Sequence, residues 1–325
     1  MPKAFVTGAT GFIGLNLVEQ LAEQGWDIVV FHRDGSDTAP LDRFDVEHTV
    51  GSLTSPETVG RAIRRGIDCV FHLAADTSNW RGHRKRQKAV NYFGTRAVVH
   101  AAQDAGVGRF VHVSTASVWS DRHGLVDETT PQTGRKSWVG YIRTKAMAEE
   151  FVRAECQRGL NAVICNPAHV LGRYDRSNWA GLFNLVANDT LPGVPPGGGC
   201  FANGREVARA LIAAAERGRP GENYILAGPH ARFVEVVGEI GRLVGKPTPD
   251  KATPAIAIKT MAAVNQLVAH VTRRRPAMTP EAAYFLYHDE HLNCDKAVRE
   301  LGYKTVPLAT SLAESHAWLT EQGLL

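Results

Sequence analysis

Three glycines between a predicted strand and a predicted helix constrain this chain more than any other feature. Residues 4–6 are apolar and predict a strand, residues 12–24 have helical periodicity, and Gly8, Gly11 and Gly14 follow one another at intervals of three. Gly8 allows a tight turn with positive φ, Gly11 lets the backbone approach a ligand, and Gly14 lets the helix pack closely on the strand. The helix N-terminus then offers free N–H groups and the positive end of its dipole. The loop therefore predicts a binding site for the pyrophosphate of a dinucleotide.

Short apolar runs alternate with helical patterns through the first half of the chain. Predicted strands cover residues 4–6, 27–31, 46–50, 68–73, 109–114 and 161–166, and predicted helices cover residues 12–24, 84–105 and 139–158. Strands that alternate with helices indicate a parallel sheet with helices on both faces. We therefore predict the α/β class, with a doubly wound parallel sheet of the Rossmann type.

The pattern changes after residue 172. The run LPGVPPGGG at 191–199 predicts a loop, whereas residues 206–217 predict a helix and residues 222–226 a strand. The remainder is rich in helical patterns, and 325 residues suffice for two domains. We predict a dinucleotide-binding domain over 1–171, to which 205–227 returns. A smaller, mostly helical substrate domain would comprise 172–204 and 228–325.

A tyrosine and a lysine lie four residues apart near the start of a predicted helix. At this spacing Tyr141 and Lys145 share one face of the helix. A neighbouring ammonium, the nicotinamide charge of a bound cofactor and the helix N-terminus all favour the phenolate. Lowering a tyrosine pKa from about 10 to about 7 requires roughly 4 kcal/mol. Ser114 and Thr115 end the fifth predicted strand, at the sheet edge where ligands bind in such folds. Together these side chains predict general acid–base chemistry on a carbonyl or alcohol.

In these motifs the chain resembles the extended short-chain dehydrogenases/reductases, also called the NAD-dependent epimerase/dehydratase family. The resemblance covers roughly residues 3–230, and among subgroups it favours the branch of dihydroflavonol reductases and 3β-hydroxysteroid dehydrogenases. The matching residues are Gly8, Gly11 and Gly14, HLAA at 72–75, NYFGT at 91–95, Ser114 and Thr115, Tyr141 with Lys145, and NPAHVLG at 166–172.

The resemblance implies roles for individual residues. Tyr141 would be the general acid/base, Lys145 would bind the nicotinamide ribose and lower the tyrosine pKa, and Thr115 would be the catalytic hydroxyl residue. The residues expected to contact the cofactor are Gly8, Thr10, Gly11, Phe12, Ile13, Gly14, His32, Arg33, Ser52, Leu53, Leu73, Ala74, Ala75, Lys145, Pro167 and His169. The residues expected to contact the substrate are Asp76, Trp80, Thr115 and Trp119.

The end of the second predicted strand bears on the choice of cofactor. Sites that prefer NAD place an acidic residue there, and this chain has His32 and Arg33, followed by Asp34. A guanidinium can bind a 2′-phosphate through two hydrogen bonds. We therefore expect NADP, with NAD as the alternative. Ser52 stands where many family members have an aspartate that holds the adenine, so one hydrogen bond to the adenine is in doubt.

The function that follows is an NADP-dependent reductase of a ketone or aldehyde, with alcohol oxidation as the reverse reaction. The first alternative is a nucleotide-sugar or related sugar epimerase that holds NAD tightly. The second is a non-catalytic NADP-binding sensor, against which the set Thr115, Tyr141 and Lys145 argues. Ala116 and Ser117 follow Thr115 where sugar dehydratases carry an acidic pair, which argues against dehydration.

Composition excludes several other classes of protein. The formal net charge of +4 is too small to predict a nucleic-acid partner. Five scattered cysteines without CxxC spacing favour reduced thiols, and with no signal peptide visible we expect a cytoplasmic protein. No apolar run is long enough to span a membrane, and the histidines lack metal-ligand spacing such as HExxH, so no metal is expected. A small molecule is the expected partner, and a homodimer is compatible with these features.

Two basic stretches allow two interpretations each. Residues 80–88 carry a dense run of positive charge, which predicts a solvated helix start more readily than a substrate site. Residues 256–271 have an apolar stripe, followed by three arginines at 273–275. A helix that covers the substrate pocket or packs on the core is favoured there over a helix on a membrane surface.

Overall fold

The computed structural model of the protein describes residues 1–120, 124–177, 179–272, 276 and 278–325. The strands are β1 (Lys3–Thr7), β2 (Asp27–His32), β3 (Val46–Val50), β4 (Cys69–His72), β5 (Arg109–Val113), β6 (Leu125–Val126), β7 (Ala162–Pro167), β8 (His169–Leu171), β9 (Gly198–Asn203), β10 (Asn223–Leu226), β11 (His230–Arg232) and β12 (His291–Leu292). The α-helices are α1 (Phe12–Glu23), α2 (Pro56–Ala62), α3 (Arg84–Gln87), α4 (Thr95–Ala105), α5 (Gly140–Cys156), α6 (Trp179–Ala187), α7 (Gly204–Arg217), α8 (Phe233–Val244), α9 (Ala255–Thr272), α10 (Pro280–Tyr287), α11 (Asp295–Leu301) and α12 (Leu308–Glu321). Short 3₁₀ segments cover Ala39–Leu41, Arg81–His83, Ala116–Trp119 and Gly134–Lys136, and a π-helical segment covers Lys88–Gly94.

Seven parallel strands form the central sheet, in the order β3-β2-β1-β4-β5-β7-β10. Its middle strands are apolar on both faces: Phe5 pairs with Val70 on one face and Val6 with Phe71 on the other, and all four are fully buried. Continuous apolar strands of this kind suit a parallel sheet that is covered on both sides. The strand order reverses beside β1, which opens a crevice at the carboxyl ends of β1 and β4. The predicted doubly wound α/β fold is confirmed.

Helices on the two faces of the sheet create two apolar cores. On one face α1 and α7 pack together, so that Leu17 and Leu211 join the cluster that contains Val6. On the other face Val59 of α2 and Val98 of α4 pack against the cluster of Phe5. All of these side chains are fully buried. Both cores leave the carboxyl edge of the sheet free to carry a site.

Two small sheets lie outside the central one. Strands β8, β9 and β11 form a three-stranded sheet, and β6 pairs with β12. The run at 191–199, predicted as a loop throughout, is irregular only as far as Gly197, because β9 begins at Gly198. That prediction was wrong at its end. A Cβ on Gly198 would lie 2.8 Å from the carbonyl oxygen of Ala231, so this glycine permits close pairing with β11.

The chain returns to the central sheet through α7 and β10. Strand β10 pairs in parallel with β7, and α7 packs against β5 and β7. Asn203 begins α7 by accepting hydrogen bonds from the N–H groups of Arg205 and Glu206. The division of the whole chain into a dinucleotide-binding domain and a substrate domain stays a prediction.

Helix α12 holds a loop that lies far away in the sequence. The N–H of Gly172, directly after β8, donates to the Oγ of Ser315 at 2.9 Å. The Nδ2 of Asn203 donates to the Oγ of Ser311 at 3.2 Å, and both hydroxyl residues are buried. The loop after β8 is thus fixed by a residue 143 positions later.

Two predicted helices have features that periodicity did not reveal. Residues 84–105 are helical, but the π-helical segment Lys88–Gly94 separates α3 from α4. The amphipathic segment at 256–271 forms α9, which buries Ile258 and Ala262 against α10 and leaves Leu267 exposed. The arginines at 273–275 lie outside the described residues. Among the helices that are described, none is both long and apolar enough to cross a membrane.

Candidate active site

The loop after β1 has the geometry that its glycines predict. Gly8 has a φ of 76°, and a Cβ there would lie 2.8 Å from the backbone nitrogen of Ala74. A Cβ on Gly14 would lie 2.1 Å from the carbonyl oxygen of Gly8. Gly11 caps α1 without a side-chain hydrogen bond, and the first turn of the helix contains no acidic residue. The first N–H groups of α1 therefore have no side-chain cap and remain available to an anion.

Residues at the loop and at the end of β4 surround this helix terminus. Thr10, Ile13 and Ala75 are partly buried, and Phe12 packs its ring so close to Gly204 that a Cβ there would lie 2.9 Å away. Leu73 donates its N–H to the carbonyl of Thr7 at 3.2 Å. The predicted cofactor residues of β1 and β4 are thus brought together at one edge of the sheet.

A buried series of hydrogen-bonded side chains supports the edge of the sheet at the ends of β1 and β4, and the sequence did not reveal it. The Oγ1 of Thr7 lies 2.8 Å from the Nδ1 of His72, and the Nε2 of His72 lies 2.9 Å from the Oγ1 of Thr95. Thr7 also accepts the N–H of Ala74 at 3.3 Å. Burial, with a smaller effect of Lys145, lowers the pKa of His72 to about 3, so this imidazole is neutral. These hydrogen bonds connect the start of the glycine loop to β4 and α4.

The ends of β2 and β3 present polar side chains beside the glycine loop. His32 is partly buried, and its Nε2 lies 3.2 Å from the Nδ1 of His48. Arg33 is exposed and, in the described part of the chain, forms no ion pair with Asp34 or another acid. Its guanidinium is free to meet an anionic group.

The adenine position predicted from Ser52 and Leu53 lies in a tight turn. The Oγ of Ser52 lies 2.8 Å from the Oγ1 of Thr54, and its N–H donates to Thr58 at 3.1 Å. Leu53 is buried beside Gly94, whose added Cβ would lie 3.0 Å from the Leu53 Cβ. The Ser52 hydroxyl is therefore engaged within its own turn.

Tyr141, Lys145 and Thr115 meet where α5 crosses the carboxyl end of β5. Thr115 is buried, and its Oγ1 accepts the N–H of Ser117 at 3.2 Å. Its side chain also lies close enough to the phenol of Tyr141 to lower the pKa of that phenol through a polar interaction. Burial raises the same pKa by more, so the phenol is protonated at neutral pH. In the protein alone, desolvation of the phenolate outweighs the polar contact with Thr115. The expectation that Lys145, the helix N-terminus and a bound nicotinamide together lower the pKa of Tyr141 concerns the site with its cofactor, and it stays a prediction.

Lys145 extends from the next turn of α5 into the interior. It is 3% exposed, and its Nζ donates to the carbonyl of Val113 at 2.6 Å. Burial lowers the pKa of Lys145 to about 8, while Glu149 opposes this shift. The ammonium form therefore predominates at neutral pH, with donors left for a further partner.

One turn further along α5, Glu149 forms the centre of a buried polar network that sequence reasoning missed. It is fully buried and accepts hydrogen bonds from four side chains, at 2.5 Å from Gln132, 2.7 Å from Asn223, 2.8 Å from Arg153 and 2.9 Å from Asn166. The amide of Asn166 also donates to the carbonyl of Thr115 at 3.1 Å. The network fixes α5 against β7 and β10, and so fixes Tyr141 against Thr115. Its only local signal is the spacing of Tyr141, Lys145, Glu149 and Arg153 at intervals of four.

Trp80 and Tyr141 line the same narrow cleft, as the prediction of a substrate contact requires. Its other walls include Asn79, Arg84, Val139 and Glu281. Two arginines of the basic run bind the buried Glu281 of α10, Arg81 at 2.6 Å and Arg84 at 3.6 Å. These two arginines pair with the protein although their side chains are 46% and 42% exposed. The lysines and arginines at 81–88 are all exposed, which agrees with the expected solvated helix start.

The other two predicted substrate residues have structural partners. Asp76 accepts hydrogen bonds from Arg86 at 2.6 Å and from the N–H of Ser78 at 3.0 Å. Its backbone is held by the buried Asn91 of the π-helical segment. Trp119 is 2% exposed, and its indole N–H donates to the carbonyl of Thr130 at 2.7 Å. This position leaves Trp119 no surface to offer a substrate.

The last two predicted cofactor residues lie at the end of β7 and the start of β8. Pro167 is buried and ends β7. His169 is partly buried among the rings of Trp179, Phe201 and Phe233, at 5.3–5.9 Å between centroids. Burial lowers the pKa of His169 to about 4, so it is a neutral group here.

Comparison with known proteins places this geometry in context. Residues 4–227 match the model of the NAD dependent epimerase/dehydratase family. "Sterol demethylase protein B" of Methylococcus capsulatus is 31% identical, over 98% of this chain and 99% of that protein. "3-beta-hydroxysteroid dehydrogenase" of Mycolicibacterium neoaurum is also 31% identical, over 95% of this chain and 88% of that protein. Among solved structures, a nucleoside-diphosphate-sugar epimerase from Pseudomonas aeruginosa superimposes with a TM-score of 0.80 at 25% identity, covering 100% of this chain and 99% of that one.

Proposed function

The chain belongs to the NAD dependent epimerase/dehydratase family, and from this premise we propose that it is an NADP-dependent oxidoreductase. It reduces a ketone or aldehyde to an alcohol, and the reaction is reversible. The observation that carries the proposal is the contact between the Tyr141 phenol and the Thr115 hydroxyl, with the Lys145 ammonium one turn away on the same helix. An acid, a polar orienting group and a cation at one sheet edge form the set that carbonyl reduction requires.

The glycine loop supports dinucleotide binding on stereochemical grounds. The contacts that a Cβ would make at Gly8 and Gly14 exclude larger residues, and the open N-terminus of α1 suits a pyrophosphate. Arg33 would bind the 2′-phosphate of NADP, because its guanidinium is exposed and unpaired among the described residues. Lys145 would hold the nicotinamide ribose. The other predicted cofactor contacts, such as Pro167 and His169, belong to the same proposal.

Protonation states of the site favour reduction. When bound, NADPH supplies the hydride to the carbonyl carbon. Tyr141, protonated because burial raises its pKa, donates its proton to the carbonyl oxygen as negative charge develops there. Thr115 orients that oxygen beside the phenol. In the oxidative direction Tyr141 must accept a proton from the alcohol, so the Lys145 ammonium and the Thr115 hydrogen bond then assist by stabilising the phenolate.

The relatives suggest the class of substrate. Their names include "Sterol demethylase protein B" and "3-beta-hydroxysteroid dehydrogenase", and they align over nearly the whole length of this chain. We therefore place a bulky apolar ring ketone, or its secondary alcohol, first among candidate substrates. Trp80 would contact such a ring, because it lines the cleft that also contains Tyr141.

Oxidation of NADPH across a panel of carbonyl compounds tests the proposal. We expect turnover with a ring ketone, and a loss of at least about a hundredfold in kcat for Tyr141→Phe with unchanged affinity for NADPH. Tyr303→Phe is the matched control, since the Tyr303 hydroxyl is buried and has no hydrogen-bond partner in the described part of the chain. Wild-type turnover in Tyr141→Phe would overturn the role of the phenol.

The same panel separates the alternatives. An epimerase would interconvert nucleotide sugars without net consumption of NADPH. A non-catalytic sensor would bind NADPH and turn over none of the compounds. Either result would replace the reductase proposal.

A further inference from the structure

We propose that His230, Asp289 and His291 form a binding site for a divalent transition-metal ion, for which Zn²⁺ is the test ion. The site is separate from the cofactor loop and from Tyr141. It was not expected from the sequence, because the histidines lack the spacing of familiar zinc motifs.

Three parts of the fold bring these side chains together. His230 begins β11, which pairs antiparallel with β9. Asp289 follows α10 and forms a backbone bridge with Gly198 at the start of β9. His291 begins β12, which pairs with β6. The only signal in the sequence is that Asp289 and His291 lie two residues apart. The third ligand, His230, lies 59 positions before Asp289.

The ligand atoms are already close to one another. The Nε2 of His230 lies 2.6 Å from one carboxylate oxygen of Asp289, and the Nε2 of His291 lies 3.6 Å from the other. One ligand atom from each residue can be chosen so that all lie within 4.8 Å of one another. Two ligand atoms bound to one tetrahedral zinc ion at about 2.0–2.2 Å lie about 3.3–3.6 Å apart. The pair of Asp289 and His291 already has this spacing, and the pair of His230 and Asp289 would have to open by about 1 Å or less.

The chemistry of the three groups selects the class of ion. Imidazole nitrogens and a carboxylate suit Zn²⁺ and its neighbours in the first transition series, whereas Mg²⁺ and Ca²⁺ prefer sites built from oxygen alone. The two imidazole rings stack at 3.9 Å with an angle of 12° between their planes.

The surroundings leave room for an ion and give its binding a structural consequence. The side chains of His230, Asp289 and His291 are 28%, 38% and 47% exposed, so water can complete the coordination. An ion would link β11 to the segment 289–291. That segment includes Glu290, whose carboxylate accepts the hydroxyl of Ser120 at 2.9 Å. Ser120 directly follows the 3₁₀ segment that begins after Thr115, so the ion would brace a segment next to the site.

Titration of the full chain with Zn²⁺ alone tests the inference. The protein is prepared without a polyhistidine tag, freed of metal with a chelator and titrated by calorimetry. We expect one Zn²⁺ per chain, and at least about a hundredfold weaker binding in both His230→Ala and His291→Ala. Loss of groups that merely support a metal ligand costs tenfold to a hundredfold, so loss of a ligand should cost no less.

A second imidazole pair supplies the matched control. His48 lies beside His32 at 3.2 Å but has no place in the Asp289 cluster, so His48→Ala should bind Zn²⁺ as wild type does. Zn²⁺ should also raise the Tm of wild type and of His48→Ala, and leave the Tm of His230→Ala unchanged. Absence of binding would overturn the proposal, and so would binding that survives loss of either His230 or His291. Circular dichroism of the metal-free variants establishes that each one is folded.

Discussion

The glycine loop after β1 and the helix α5 meet at the same edge of the sheet, but they are built in opposite ways. The loop depends on side chains that are missing, since a single Cβ on Gly14 would lie 2.1 Å from a backbone oxygen. Helix α5 depends on buried polar side chains, with Lys145 and Glu149 almost wholly removed from solvent. An added side-chain atom should therefore disrupt the glycine loop, whereas loss of a buried polar or charged group should disrupt the packing of α5. Two substitutions test this contrast, and a third, with the smallest expected effect, tests the exposed rim of the cofactor region.

Gly14→Ala adds one methyl group to the loop. We expect a loss of about 3 kcal/mol in the free energy of unfolding, at the upper end of the cost of overpacking, because the contacting atoms belong to the backbone. NADPH affinity should fall with it, since the loop must move. Denaturant unfolding and cofactor titration measure the two effects.

Gly60→Ala is the control for that substitution. Gly60 lies within α2 and would place its Cβ in open space, so alanine there should be neutral or stabilise the protein by up to about 1 kcal/mol. If Gly14→Ala and Gly60→Ala had the same free energy of unfolding and the same NADPH affinity, the loop would not require glycine at position 14.

Glu149→Gln removes one negative charge from the buried network and supplies an amide where only acceptors fit. Four donors converge on this carboxylate, and hydrogen bonds to charged groups contribute about 1.5–3 kcal/mol. We expect a loss of that size in the free energy of unfolding, together with reduced kcat because Tyr141 loses its support. Thermal unfolding and steady-state kinetics provide the measurements.

The neighbouring residue offers a matched control. Glu150 is exposed and pairs at 3.1 Å with Arg135, which is exposed as well. Exposed pairs contribute about 0.2–1 kcal/mol, so Glu150→Gln should change little. A Glu149→Gln variant as stable and active as Glu150→Gln would show that the network is dispensable.

Arg33→Ala affects only the rim of the cofactor region. One partly exposed, charge-assisted contact is worth roughly 1.5–3 kcal/mol, so NADPH should bind about ten- to a hundredfold more weakly, toward the lower end because Arg33 is exposed. NADH affinity should be unchanged. Dissociation constants for both cofactors in wild type and variant provide the measurement.

Arg65→Ala serves as the control, because this exposed arginine precedes β4 at the opposite edge of the sheet. An unchanged NADPH preference after removal of Arg33 would place cofactor choice elsewhere in the molecule.

The contrast between the two regions also explains what the sequence could predict. The glycine loop and the alternation of strands with helices were predictable, because glycine spacing and apolar periodicity are local signals and the steric reasons for them are local too. Pairing of Tyr141 with Lys145 was predictable from helical spacing for the same reason. These elements account for the confirmed α/β fold and for most of the candidate site.

The buried partners were not predictable, because no local pattern links them. Glu149 meets Asn223 across 74 positions, and His72 meets Thr7 across 65. Trp119 follows Thr115 closely in the sequence, which suggested a contact with substrate. Only the packing of the fold showed that Trp119 is buried. The raised pKa of Tyr141 in the protein alone has a related cause: desolvation is a property of the folded interior and does not show in the residues adjacent in sequence.

The hydrogen bond between Gly172 and Ser315 has a consequence for synthesis of the protein on the ribosome. At about 5–20 residues per second, translation of the 143 positions between them takes roughly 7–29 seconds. During that interval the six strands β1–β5 and β7 can already pair, while the loop after β8 still lacks the helix that holds it. A nascent chain could thus contain a formed glycine loop and still expose the apolar surface that α12 later covers. That interval is when a chaperone would be most useful to this protein.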